Sequence, residues 1–414
     1  MKAETSADPK PGPLNGVRVL DLSRVLAAPS CTQILGDLGA DVIKVERPLV
    51  GDEIRGWGPP FLRAKDGSET GESGYYLSTG RNKRSVTIDM SKPEGVSLIK
   101  QLLAKSDVLA ENFKVGSLSK FGLDYESIHS EFPSIVYCSI TGYGQDGPYA
   151  KRPGYDMAAQ GLGGIISITG EADGPPSKVP IAVNDVITGL YASISILAAL
   201  KHRDLTGLGQ QIDLALLDVQ VAWLYNQGVN YLLNGEVPKR LGTGHPNIVP
   251  YQAFEASDGF IILGTANEDA FYRFCEFTGN LSLLDDPRFC RNAERVRNRK
   301  AANDEVQKII YTNTADFWVS ELSKLNITCS RVNTIDQVFE DPQVQARKMT
   351  VEMNHPLAEG GPIRLISSPI KMSETPVSYR YPPPTLGQHT DEILSDVLGM
   401  DEAVRKKLKT DGII

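Results

Sequence analysis

Residues 16–46 read GVRVLDLSRVLAAPSCTQILGDLGADVIKVE, and the reading of this stretch decides the fold. Residues 17–20 are a short apolar run of strand type, 31–38 carry helical spacing that Gly39 stops, and 41–46 return as a second strand. The cycle then recurs. A helix over 93–105 precedes a strand over 107–111, and a helix over 125–131 precedes a strand over 135–140. Repeated βα units predict an α/β fold with a Rossmann-like parallel sheet and helices on both faces. A dinucleotide-binding member of that class needs G-x-G-x-x-G between its first strand and helix, where glycines let the backbone approach a pyrophosphate. Arg24-Val-Leu-Ala-Ala-Pro29 stands there instead, and no Walker A loop occurs, so a dehydrogenase is disfavoured.

Farther along, 184–203 is a long apolar helix predicted to be buried, followed by a strand over 211–216 and a helix to 233. The texture then changes. Residues 238–250 are rich in Gly, Pro, His and Asn and predict a mobile loop, 251–264 predict a hairpin turning at Ser257-Asp258-Gly259, and 293–311 a charged helix. At 414 residues two domains are expected. The reading is a disordered leader over 1–13, a large α/β domain over 14–224, a smaller α+β domain over 225–330, and a return to the large domain over 331–414 that ends in a helix.

The net charge of −8 and pI near 5.3 argue against nucleic acid or an anionic membrane as partner. No apolar run approaches the roughly 18 residues of a membrane span, and the N-terminus lacks a secretory core, so neither membrane insertion nor secretion is expected. The five cysteines are odd in number and never spaced C-x-x-C, which fits a reducing compartment, the mitochondrial matrix or the cytoplasm. The five histidines show no ligand spacing, and no metal is expected.

Three features could carry chemistry, each with a plainer alternative. Arg152-Pro-Gly-Tyr-Asp156 delivers an acid at the start of a helix over 157–168, as an N-cap or as a nucleophile. Gly242-Thr-Gly244-His245 opens a glycine-dense segment that reads as a plain connection or as a lid. Arg81-Asn-Lys83-Arg84, with Arg47 and Lys120 in neighbouring loops, reads as a solvated face or as a phosphate site beyond the strand ends.

Together these features resemble the class III CoA-transferases over nearly the whole chain from Leu14. The resemblance rests on Leu14-Asn-Gly-Val-Arg-Val-Leu-Asp21, Leu35-Gly-Asp-Leu-Gly-Ala-Asp-Val-Ile-Lys-Val-Glu-Arg47, Asn82-Lys-Arg-Ser85, Glu111-Asn-Phe113, Thr141-Gly-Tyr143-Gly144, Gly154-Tyr-Asp156 and Leu386-Gly-Gln-His-Thr390. The branch that moves CoA between succinyl-CoA and glutarate is matched further through Trp57-Gly-Pro-Pro-Phe61 and Ile248-Val-Pro-Tyr-Gln-Ala-Phe254. The resemblance implies that Asp156 is the nucleophile, that Arg47, Lys83, Asn112, Lys120, Leu26 and Tyr143 contact CoA, and that the loop from Gly242 through Gly244 and His245 covers the thioester. Leu26 stands where the formyl-CoA branch has glutamine, which argues against formyl transfer. The implied fold is an interlocked homodimer.

The implied reaction moves CoA from succinyl-CoA to a dicarboxylic acid such as glutarate or itaconate through an aspartyl-CoA thioester. CoA thioesters are then substrates, and no permanently bound cofactor is expected. An acceptor of this kind leaves one carboxylate free, which calls for a bidentate arginine, and Arg55, Arg81 and Arg240 are the candidates. The alternatives are an α-methylacyl-CoA racemase, whose relatives carry histidine where Tyr155 stands, and a non-catalytic acyl-CoA-binding protein.

Overall fold

The structure, a computed structural model, describes residues 11–358 and 361–414, so most of the expected leader lies outside the described residues. The described residues divide into two compact units, one of 11–163, 180–223, 345–358 and 361–414 and one of 164–179 and 224–344. The second unit thus takes in a segment before residue 225 and continues past 330. The reason is visible in the backbone, where Gly242 N–H donates to Gly170 C=O and the Arg240 guanidinium donates to the carbonyls of Glu171 and Gly174.

The first unit is built on a six-stranded parallel sheet. Its strands are β1 (Arg18–Asp21), β2 (Asp41–Glu46), β5 (Lys83–Thr87), β6 (Val108–Glu111), β7 (Val136–Thr141) and β8 (Gln211–Ala215), while β3 (Phe61–Arg63) and β4 (Glu69–Ser73) form a small hairpin aside. The order across the sheet is β5-β2-β1-β6-β7-β8, every pair parallel. Strands buried on both faces read as continuous apolar runs, and the pleat sends alternate residues to opposite sides. Val19, Val42, Val108 and Val136 pack on one face with the helices Ala27–Asp37 and Val183–Thr206. Leu20, Ile43, Leu109 and Tyr137 pack on the other with Pro93–Leu103, Tyr125–Glu131 and, from the C-terminal segment, Thr390–Asp396.

Val183–Thr206 corrects one expectation, since it is long and apolar enough to cross a membrane. It packs against Ala27–Asp37 and β7, and much of it is a core helix. From β1 the chain steps to β2 on one side, and later from β5 to β6 on the other. The sheet therefore has its switch point at the C-terminal ends of β1 and β6, where ligands bind in open α/β sheets.

The second unit holds an antiparallel sheet of β9 (Tyr251–Ala256), β10 (Gly259–Gly264) and β11 (Thr328–Arg331) in the order β11-β10-β9. The expected hairpin is present, with Ala256 paired to Gly259. Phe254, Ile261 and Leu263 pack with Phe271, Phe274, Val306 and Trp318 from the helices Glu268–Phe277, Arg299–Ile310 and Ala315–Lys324.

Candidate active site

The turn after β1 takes a sharp path without glycine. Val25 sits at φ 68, a conformation that a β-branched residue rarely adopts and that costs roughly 1–3 kcal/mol. Its N–H points at the Asp52 carboxylate, 3.2 and 3.3 Å from the two oxygens. Asp52 pairs in turn with buried Lys44 at 3.1 Å, and Lys44 Nζ donates to Ser23 C=O at 2.9 Å. From β6, Asn112 closes the other side, its Oδ1 accepting from Arg24 N–H at 2.8 Å and its Nδ2 donating to Arg24 C=O at 2.6 Å. The expected CoA contact Asn112 is therefore first a clamp on the β1 turn.

A cleft of about 880 Å³, open to solvent, lies over this point. Its walls include Arg24, Leu26, Asn112, Phe113, Arg152 and Tyr155. A second cleft, sharing Arg24 and Phe113, continues to Arg47 and Asp89. Exposed Arg24 lies 5.0 Å over the Phe113 ring and exposed Arg152 3.8 Å over Tyr149, whose ring also meets half-buried Tyr143 edge-on. The sequence reading did not single out these two arginines, because each is one charge in an otherwise mixed loop. Lys120 is exposed, lies over Phe121 at 4.6 Å and is not among the cleft residues.

Asp156 is brought to this edge by two glycines. A Cβ placed on Gly154 would lie 2.5 Å from Gly142 Cα, and one on Gly142 2.6 Å from Gly154 Cα, so only glycine lets the segment before Asp156 lie on the end of β7. Asp156 is the first residue of the helix Asp156–Leu162, which ends earlier than expected, and Tyr155 occupies the cap position. Its carboxylate serves another helix. Oδ1 accepts from the backbone N–H of Asn184 at 2.9 Å and of Asp185 at 3.3 Å, in the first turn of the 24-residue helix Val183–Thr206, and Oδ2 accepts from Gln160 Nε2 at 2.7 Å. Anions are favoured at such a terminus by its unpaired N–H groups and dipole. The chain neighbours Gly154 and Tyr155, and Asp185, line the cleft. Burial, then the negative charge of Asp156, pushes the Asp185 carboxyl up to about 7. Tyr75, edge-on to Trp57 at 5.4 Å, senses the same pair: burial, then Asp185 and Asp156, push its phenol up.

The run 81–84 is neither a solvated face nor a phosphate site. It leads into the N-terminal end of β5, opposite the binding edge of a parallel sheet, and its cations are paired inside the protein. Lys83 Nζ lies 3.2 Å from Asp21 and donates to Pro29 C=O, with the residue 1% exposed. Arg81 grips Asp37 with two nitrogens and Ile366 C=O with the third. Arg55 is engaged by Glu46, Glu72, Tyr76 and Pro384 C=O. Neither arginine offers a free fork to a substrate carboxylate, and the Lys83 ammonium is closed to CoA.

In the second unit Arg240 is held by the Glu171 and Gly174 carbonyls. The segment expected to be mobile is tied down. Arg299 donates to the carbonyls of His245 and Pro246, Asn292 to that of Asn247 and fully buried Arg295 to that of Val249. Gly242 turns at φ 60, Gly244 N–H returns to Leu241 C=O, and the His245 ring stacks on Tyr251. Burial, then the charge of Arg299, holds His245 below the usual histidine range.

Residues 14–390 match the family model of CoA-transferase family III. The chain is 46% identical over 389 residues to the succinate–glutarate CoA-transferase of Agrobacterium fabrum, covering 93% of this chain and 96% of that one. It is 43% identical over 406 residues to the succinyl-CoA:glutarate CoA-transferase of Mus musculus, covering 97% and 90%. The crystal structure of a CAIB/BAIF family protein from Brucella suis superposes with a TM-score of 0.82 at 42% identity, over 94% of this chain and 100% of that one. The chain belongs to CoA-transferase family III and is a CoA-transferase.

Proposed function

We propose that the chain moves CoA from succinyl-CoA to a dicarboxylic acid, glutarate before itaconate, with Asp156 as nucleophile. The observation that carries this reading is the carboxylate of Asp156 beside a cation-rimmed cleft at the sheet's switch point, oriented by two helix N–H groups. The names of the relatives from Agrobacterium fabrum and Mus musculus support the donor and acceptor. An Asp156 oxygen attacks the donor thioester to give a mixed anhydride and CoA thiolate. The thiolate attacks the aspartyl carbonyl, the donor acid departs, and the acceptor carboxylate opens the aspartyl-CoA thioester by the same steps in reverse. Arg24 and Arg47 suit the CoA phosphates, and Arg152 takes the place of Arg55, Arg81 and Arg240 as partner of the acceptor's free carboxylate. The racemase alternative lacks its base: Tyr155 precedes Asp156, and His129 stacks on Tyr125 at 5.1 Å, outside the cleft.

We also infer an interlocked homodimer in the mitochondrial matrix or the cytoplasm. Val186, Leu190, Ile194 and Leu197 form an exposed apolar stripe on Val183–Thr206, which supports burial against a second copy, and the free cysteines suit a reducing compartment. The test of the reaction is an acceptor screen with succinyl-CoA, following each new acyl-CoA by mass spectrometry. Transfer to one or a few dicarboxylates that drops by about 10⁴-fold or more in Asp156→Ala is expected. No transfer to any acid would remove the reaction, and undiminished transfer in the variant would remove the nucleophile.

A further inference from the structure

Asp185 is a buried acid beside Asp156 that the transfer scheme leaves unused. It stands third in the helix Val183–Thr206, lines the cleft with Tyr155 and Arg152, and is 8% exposed. Its backbone N–H reaches Asp156 Oδ1 at 3.3 Å, and its carboxyl has no hydrogen-bond partner among the described residues. Several titratable groups stand on the elements packed against this helix. Cys31 and Asp37 lie on Ala27–Asp37, Tyr137 and Cys138 on β7, Asp213 on β8, Asp218 on Leu216–Ala222 and Asp156 on Asp156–Leu162. The cleft adds Arg24, Glu53, Lys114 and Arg152, with Tyr75 in electrostatic reach. Of all these, Asp156 is the group whose charge acts on Asp185.

Acylation turns Asp156 from an anion into a neutral ester-like group, so the charge that adds to burial in raising the Asp185 carboxyl disappears. Asp185 becomes a stronger acid at the moment when CoA leaves as a thiolate, whose conjugate thiol ordinarily titrates near 8.5 by analogy with cysteine. We propose that Asp185 is the proton carrier of the reaction, holding a proton while Asp156 is free and passing it to the CoA sulfur once Asp156 is acylated. This rests on Asp156 being the nucleophile.

In the first step an Asp156 oxygen bonds to the donor acyl carbon, and the C–S bond breaks with its electron pair on sulfur. The proton moves from Asp185 to that sulfur, leaving Asp185 ionised and CoA a thiol. In the second step Asp185 takes the proton back, and the thiolate attacks the Asp156 carbonyl carbon. The anhydride C–O bond breaks and the donor acid leaves as its carboxylate. The acceptor half runs the same steps in reverse, and no proton is gained or lost over the cycle.

The test follows formation of the Asp156 thioester from succinyl-CoA in single turnovers between about pH 5 and 9, with hydroxylamine trapping and peptide mass spectrometry. In the wild type the rate falls on the alkaline side with an inflection near 7. Asp185→Asn still labels Asp156, about 10²-fold more slowly and without the inflection. A wild-type rate in Asp185→Asn, or an inflection that survives the substitution, overturns the inference. Absence of any Asp156 label in the wild type sinks the nucleophile reading instead, which keeps the two failures apart. Should Asp185→Asn fail to fold, difference infrared titration of the protonated carboxyl signal decides. Part of the signal titrating near 7 shifts down in Asp156→Asn, while Glu111, which burial pushes up to about 7, stays. An unchanged titration in Asp156→Asn overturns the proposal.

Discussion

The large unit carries two sets of basic residues with opposite surroundings. Lys44, Arg55, Arg81 and Lys83 are buried, and each meets a carboxylate at 2.6–3.2 Å. Arg24, Arg47 and Arg152 stand exposed at the switch point, two of them stacked over aromatic rings. A buried cation must be matched by an acid, whereas a cation left over an aromatic face keeps its charge available. The denser run of charge is thus the structural one, and the scattered arginines are the ones a polyanionic substrate can meet.

The contrast is most exposed to refutation through Lys83. Lys83→Ala leaves buried Asp21 with Lys44 as its remaining cation, and a loss on the order of 3–5 kcal/mol in urea unfolding is expected, with KM for succinyl-CoA unchanged in the folded protein. The reverse pattern, intact stability with a raised KM, would break the comparison. Next in size is an acid effect. Burial pushes Asp21 up, but Lys83, Lys44 and the hydroxyls of Ser23 and Thr32 outweigh it and hold the carboxyl at about 2. A lowered value means stability present above the unfolded value near 4 and lost as pH falls toward 2. It is worth about 2 kcal/mol, and Asp21→Asn should flatten that part of the stability–pH curve. For Arg24→Ala the expected change is about tenfold in KM for succinyl-CoA, with stability within about 0.5 kcal/mol of wild type. The smallest effect belongs to Arg47→Gln, roughly threefold in KM at low salt and fading as ionic strength rises, because an exposed charge is screened.

The parallel sheet was legible because strands covered on both faces leave continuous apolar runs, and the order of turns and helices follows from them. Asp156 was legible as an acid after a glycine turn, although its partner Asn184, in the helix it serves, lies 28 residues later in a stretch that reads simply as apolar. Asp185 was hidden for the same reason, since an aspartate in a first helical turn looks like an answer to the helix dipole. Arg55, Arg81 and Lys83 were misread because their partners, Glu46, Asp37 and Asp21, become neighbours only when the sheet forms. The glycine-dense segment from Gly242 misled in the opposite direction. Its composition speaks of freedom, yet arginines some 50 residues downstream hold its carbonyls.

The Gly142–Gly154 contact fixes where the proposed nucleophile stands by main chain alone, with no side chain interposed between the sheet and the segment that carries Asp156. Positional tolerance is therefore divided unevenly around the reaction centre. Substitutions in the walls, at Arg152, Phe113 or Leu26, can reshape the cleft without displacing the Asp156 carboxylate. Such an arrangement lets acceptor preference drift by ordinary side-chain replacement while the bond-making step is inherited intact.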